Sequence, residues 1–224
     1  MTHLMVILAH PDDAEIWAGG TICRHRQRGD RVTVCSLTYN VHSSRGREGF
    51  EGAQRLGVDF TCLGLADMAV NRYRPDDVER LSALLLEYKP EIVLTHWIED
   101  THPDHAASAR LVTEALLHYA VTYGLDDVDA SRVAFPSVWS CDTYGGLGKR
   151  GGFEPEWYVD ISAVWPQKIH AIEAHQSQNP TYWIDLIQRQ NAFYGYRCNR
   201  DYVEGFCRLP LAMVNTLSVH DYLP

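Results

Sequence analysis

The chain has 224 residues, 46% apolar and 22% charged, ordinary proportions for one globular domain and outside those of disordered or fibrous chains. Its formal charge of −9 argues against a surface built for nucleic acid or for an anionic membrane. The longest apolar run near the start, Leu4–Ala9, has six residues, short of a membrane span or a signal-peptide core. The expectation is therefore a soluble, cytoplasmic protein forming a single domain over residues 1–224.

The six cysteines contain no CxxC pair and read as reduced thiols, with Cys198 and Cys207 the one pair placed to join. Leu4–Ala9 reads as a strand buried on both faces. A helix over Gly19–Arg28, a strand at Val32–Leu37, a helix over Glu48–Leu56 and a strand around Phe60–Leu63 follow. Asp76 reads as an N-cap, with Glu79 completing a capping-box-like start; Pro90 stops that helix before a strand at Ile92–Thr95. A longer helix starts at His105. Beyond Phe135 the pattern loosens, with strands at Ser137–Ser140 and Tyr158–Ile161, helices at Pro166–His175 and Tyr182–Tyr194, and a Gly-rich loop between. Alternating strands and helices predict an α/β, Rossmann-like fold: a mostly parallel sheet flanked by helices in three layers. Ligands of such sheets bind beyond the carboxyl ends of the strands.

Two clusters occupy such places. His10-Pro11-Asp12-Asp13-Ala14-Glu15 follows the first strand, and His102-Pro103-Asp104-His105 follows the fourth. Each alone fits a helix N-cap with acidic residues favouring the helix dipole; two at matching positions point to a shared site. Imidazole and carboxylate together suit zinc, with iron, cobalt or manganese as substitutes, and catalytic zinc keeps three protein ligands and a water. Asp104 is spaced to orient a neighbouring imidazole. No G-x-G-x-x-G follows the first strand and no G-x-S-x-G occurs, which argues against a nucleotide-binding module and a serine hydrolase.

These clusters, with Gly19-Gly20-Thr21 after the first and Arg45-Gly46-Arg47-Glu48 ahead of Leu56-Gly57-Val58, carry a resemblance. So do Val159-Asp160-Ile161-Ser162, Lys168, Ala171, His175-Gln176-Ser177-Gln178 and Tyr202-Val203-Glu204-Gly205-Phe206. Over nearly its whole length the chain resembles the PIG-L/LmbE-like N-acetylglucosaminyl deacetylases. The resemblance implies a zinc enzyme that hydrolyses an N-acetyl amide on a small amino-sugar conjugate. It implies His10, Asp13 and His105 on the metal, Asp12 as general base and a protonated His102 beside the developing oxyanion. An amidase acting on a thiol conjugate or another non-sugar amide is the alternative, and a homo-oligomer is compatible with either.

Arg45 reads either as a substrate contact or as an exposed ion pair with Glu48, one turn on. His42 reads as a sugar-hydroxyl partner or a surface histidine. His96, directly after a strand, reads as buried and is not counted as a ligand. Trp17 departs from the family, in which a small residue is more usual there, and is expected to reshape the substrate pocket. His175 reads as structural. Trp139, Tyr144 and Trp157, around the Gly-rich loop, are the candidates for sugar stacking.

Overall fold

A computed structural model describes residues 1–70, 74–124 and 135–209. β1 (His3–Leu8) is buried along its whole length, and its alternation assigns each face of the sheet a core. Leu4, Val6 and Leu8 join Ala14, Ala18 and Ile22 of α1 (Asp13–Gln27), Ala53 and Leu56 of α2 (Ser44–Leu56), Ala171 of α5 (Trp165–Ile172) and Ile187 of α6 (Pro180–Cys198). Met5 and Ile7 point the other way, to Val78, Leu81 and Leu85 of α3 (Pro75–Tyr88) and Val112 and Leu116 of α4 (Pro103–Gly124). Period-two alternation on a strand covered by helices on both sides thus makes the three layers.

The remaining strands of this sheet are β2 (Arg31–Thr38), β3 (Asp59–Leu65), β4 (Ile92–Thr95), β5 (Ser137–Cys141), β8 (Trp157–Asp160) and β9 (Val203–Arg208), in the order β3-β2-β1-β4-β5-β9-β8. The first five run parallel; β9 pairs antiparallel with both β5 and β8. Order reverses between β1 and β4, so the chain leaves their carboxyl ends toward opposite faces and opens a crevice there. Two-residue strands β6 (Leu147–Gly148) and β7 (Gly151–Gly152) form a hairpin in the Gly-rich stretch.

Several expectations are corrected. α1 begins at Asp13, not Gly19, so Gly19 and Gly20 lie inside it. A Cβ on Gly20 would stand 2.4 Å from Ile161 Cγ2, and one on Gly19 3.1 Å from Lys168 Cγ; close helix packing explains the pair, not a helix start. α3 opens on Pro75, with Arg74 at the N-cap and no side-chain cap. Proline's fixed φ begins the helix there, and Asp76 lies in its first turn. β9 was not expected, because Glu204 and Gly205 interrupt its apolar pattern. Glu204 is nevertheless buried: it accepts N–H bonds from Gly20 (2.9 Å) and Thr21 (2.8 Å) and pairs with buried Lys168 at 2.6 Å. All six cysteines are free, Cys198 and Cys207 included. No described helix is long and apolar enough to cross a membrane.

Candidate metal centre

The loops leaving β1 and β4 meet in the crevice. One donor atom each from His10, Asp13 and His105 lies within 4.8 Å of the others, all three residues buried. Asp13 Oδ2 lies 3.2 Å from His10 Nδ1 and accepts the His10 backbone N–H at 2.7 Å, while Oδ1 lies 3.3 Å from His105 Nε2. That His105 nitrogen is buried without a hydrogen-bond partner. Two imidazole nitrogens, one of them buried without a hydrogen-bond partner, and a carboxylate fit a divalent cation of the zinc type.

Carboxylates back both imidazoles. His105 Nδ1 stands 3.0 Å from Asp100 Oδ2, which also accepts the Thr143 hydroxyl at 2.7 Å. His10 Nε2 faces Asp67 Oδ1 (3.3 Å) and Asp104 Oδ2 (3.5 Å). Such partners fix ring orientation and raise ligand basicity. Burial lowers the proton affinity of His10, but Asp13, Asp104 and Asp12 outweigh it and raise the pKa to about 10. His105 is raised to about 9 the same way, against burial, by Asp13 and Asp100. Burial would raise Asp13, yet His105, His96 and His10 hold it well below the usual carboxylate range.

His96, set aside in the sequence, is fully buried beside the cluster. Its ring stacks on His105 at 3.7 Å, and its Nε2 accepts the Ala9 N–H at 3.0 Å and lies 3.1 Å from Asp13 Oδ2. Burial, and then His105, lower its pKa to about 4. His102 stacks on His105 with ring centroids 4.5 Å apart. Burial, His105 and His10 hold it below the ordinary histidine value, so a protonated His102 is not what this environment favours. Its Nδ1 accepts the Asp104 N–H at 3.3 Å. The neutral ring therefore carries its proton on Nε2, still a donor.

Asp12 stands at the start of α1, buried, with Oδ1 2.7 Å from Arg45 Nη2. Arg45 thus pairs with Asp12, not Glu48, whose carboxylate takes the backbone N–H of Ser177 at 2.9 Å and its hydroxyl at 2.5 Å. Trp17 is buried one turn after Asp13, its indole N–H donating to Asp13 Oδ1 at 3.2 Å and its ring edge-on to Tyr144 at 5.3 Å. Tyr144 is half-buried and stacks near His105 at 5.4 Å. Trp139 is fully buried in the core, with Trp157 packed against it at 5.7 Å. His42 is exposed, with its backbone N–H tied to Asn40; among the described residues its ring makes no contact with the cluster. His175 lies 3.4 Å from buried Glu15, a pairing that spacing alone did not suggest.

Asp100, His96, Asp67 and Thr143 complete the surroundings without having been singled out as site residues. Asp100 left one trace, an acidic residue two places before His102.

Residues 5–116 match the PIG-L family, described as GlcNAc-PI de-N-acetylase. Diacetylchitobiose deacetylase of Thermococcus kodakarensis is 26% identical, covering 92% of this chain and 83% of its own. The 4-oxalmesaconate hydratase of Pseudomonas putida is 25% identical, covering 78% and 73%. The solved structure of N,N'-diacetylchitobiose deacetylase from Pyrococcus horikoshii superposes with a TM-score of 0.76 at 25% identity, covering 93% of this chain and 84% of that one. With half its length matched, a three-layer α/β fold in common and the paired clusters in place, the chain belongs to the PIG-L family.

Proposed function

We propose that this protein hydrolyses the N-acetyl amide of an N-acetylglucosaminyl or related amino-sugar conjugate, with a divalent cation, zinc by preference, held by His10, Asp13 and His105. The convergence of those three donors from the β1–α1 and β4–α4 connections and the helix starts that follow, beside the Arg45-paired carboxylate of Asp12, is the observation that carries the reading. Relatives that act as deacetylases on N-acetylglucosamine-containing substrates supply the substrate class. A cation in such a set polarises a carbonyl and brings the pKa of bound water from 15.7 to about 7.

The chain's own groups supply the proton traffic. Asp12 takes a proton from the attacking water as the new C–O bond forms, and returns it to nitrogen as the C–N bond breaks, leaving acetate and a free amine. Arg45 fixes one Asp12 oxygen at 2.7 Å, and the other carries no hydrogen bond among the described residues. His102 offers its Nε2–H to the tetrahedral oxyanion; one such donor contributes a few kcal/mol. The test is metal content together with acetate release from a panel of N-acetylglucosaminides, for the wild type and Asp12→Asn. The variant should keep its metal and lose roughly 10²- to 10⁴-fold in kcat. Unchanged acetate release would remove Asp12 from the role of base.

A second reading has an observation of its own. The hydratase relative has a name that implies addition of water across a carbon–carbon double bond, a reaction that also needs activated water and a proton carrier. Turnover of unsaturated di- and tricarboxylates, with none of any acetylated sugar or of non-sugar and thiol-conjugate amides, would favour it.

A further inference from the structure

Tyr39, the first residue after β2, has φ 60°. This left-handed conformation is a genuine outlier for a bulky aromatic residue and points to a site where something else is being satisfied. Its backbone is held by an N–H bond to Leu65 O at 2.9 Å. The strand supplying that carbonyl is itself irregular: Ser36 pairs with Cys62, but Thr38 pairs with Leu65. β3 therefore carries one extra residue, with Gly64 at φ 79° inside the bulge. Bulges beside sites re-aim the side chains that follow them. Here the residue two beyond β3 is Asp67, which faces His10.

The strained residue and the bulged strand meet at one hydroxyl. Tyr39 donates its O–H to Asp67 Oδ2 at 2.6 Å and accepts from Arg45 Nη1 at 3.4 Å, and the Arg45 guanidinium lies 4.9 Å from the centre of the Tyr39 ring. Beyond Asp67 is His10 Nε2, at 3.3 Å; beyond Arg45 is Asp12, at 2.7 Å. An unbroken polar chain thus runs Asp12–Arg45–Tyr39–Asp67–His10, between residues two positions apart at its two ends. Asp67 borders solvent, with 42% of its side chain exposed, whereas the backbone of Tyr39 is tied to β3 through Leu65.

We propose that Tyr39 is a positioning residue: its hydroxyl sets Asp67 against the imidazole of His10 and Arg45 against the carboxylate of Asp12. It thereby fixes the spacing between the cation side and the base side of the site. The proposal rests on the reading of His10 as a cation ligand and Asp12 as the base. Tyr39 acts through Asp67 and Arg45, the two side chains its hydroxyl bonds.

Tyr39→Phe removes the hydroxyl while keeping the ring beneath Arg45 and the same backbone. Cobalt(II) affinity of the metal-stripped protein, measured by chelator competition, is expected to fall about tenfold, the low end for residues that act through a ligand. In the zinc-loaded enzyme kcat should fall by a similar factor while KM stays within about twofold. A double-mutant cycle decides whether the effect passes through Asp67: Tyr39→Phe should weaken cobalt binding little further once Asp67→Ala is present. Wild-type cobalt affinity in Tyr39→Phe, or full additivity in the cycle, overturns the proposal. Failure of the wild type to bind cobalt at all would instead overturn the ligand assignment on which it rests.

Discussion

At the scale of single residues, the proposed cation site is one where a metal would exchange for protons. His10 and His105 titrate at about 10 and about 9 in the metal-free chain, so both are protonated at neutral pH. A dication that displaces both protons leaves the cluster's net charge unchanged, which is why so buried a group of donors tolerates either state. The sign follows: raised imidazole pKa values stabilise the metal-free fold fully below the ordinary histidine value of 6.5, and that contribution is lost progressively as the pH rises to about 9 for His105 and about 10 for His10, so metal affinity moves oppositely. The apparent binding constant should climb by up to about two decades per pH unit between about pH 7 and 9, by about one between 9 and 10, and level off above that. Chelator competition at several pH values measures this, and a flat profile would mean that the imidazoles bind no proton the cation must expel. A lesser prediction concerns Trp17: Trp17→Phe removes the N–H held by Asp13 and should weaken metal binding about tenfold. What was legible at this scale follows from distance along the chain. His10 and Asp13 stand three apart and His102 and His105 three apart, so their donors announce themselves as short patterns. Asp67, Asp100 and His96 touch those donors only after folding, and isolated acids or imidazoles carry no local signature.

Helix α1 bears the proposed base and one proposed ligand at its start, so its seating against the last strand sets the site. Gly19 and Gly20 let it approach Lys168 and Ile161, and Glu204, in a buried pair with Lys168 (1% and 0% exposed), accepts the N–H groups of Gly20 and Thr21. Motifs read in the sequence only as weak family signals are therefore one packing unit. This also explains why β9 was missed while β1, β2 and β4 were found within a residue or so. A central strand reads as apolar, whereas a strand whose charge is neutralised by a lysine 36 residues away does not. Breaking a buried pair leaves an uncompensated charge and costs about 3–5 kcal/mol. Glu204→Ala should lose that much in urea unfolding, and Glu204→Leu with Lys168→Met should recover a large part. Gly20→Ala should lose about 1–3 kcal/mol by overpacking against Ile161. Each should also reduce activity through α1. A Glu204→Ala protein as stable as wild type would mean that the pair does not anchor the helix.

For the molecule as a whole, the topology places the proposed ligands on two connections that diverge. The chain turns to one face after β1 and to the other after β4, so a cation shared by His10, Asp13 and His105 ties the two sides of the reversal point across a crevice the backbone itself leaves open. Such a tie binds the folded chain alone, because the donors lie over ninety positions apart in the sequence. Mass action then sets its size: at free metal a hundred times Kd, the folded state gains about 2.7 kcal/mol. At about 2–4 °C per kcal/mol for a domain of this size, chelation should lower Tm by about 5–10 °C, and added zinc should restore it. His105→Ala removes the ligand from the β4 side and should show a Tm that no longer responds to chelator or zinc. Asp13 also accepts N–H bonds from His10 and Trp17, and His105 stacks on His96 and His102, so removing either costs packing as well as metal, and the readout is the response of Tm to chelator and zinc, not its absolute value. A wild-type Tm that stays put on complete metal removal would show that the two connections are held by protein contacts alone, and that the crevice needs no ion to stay in register.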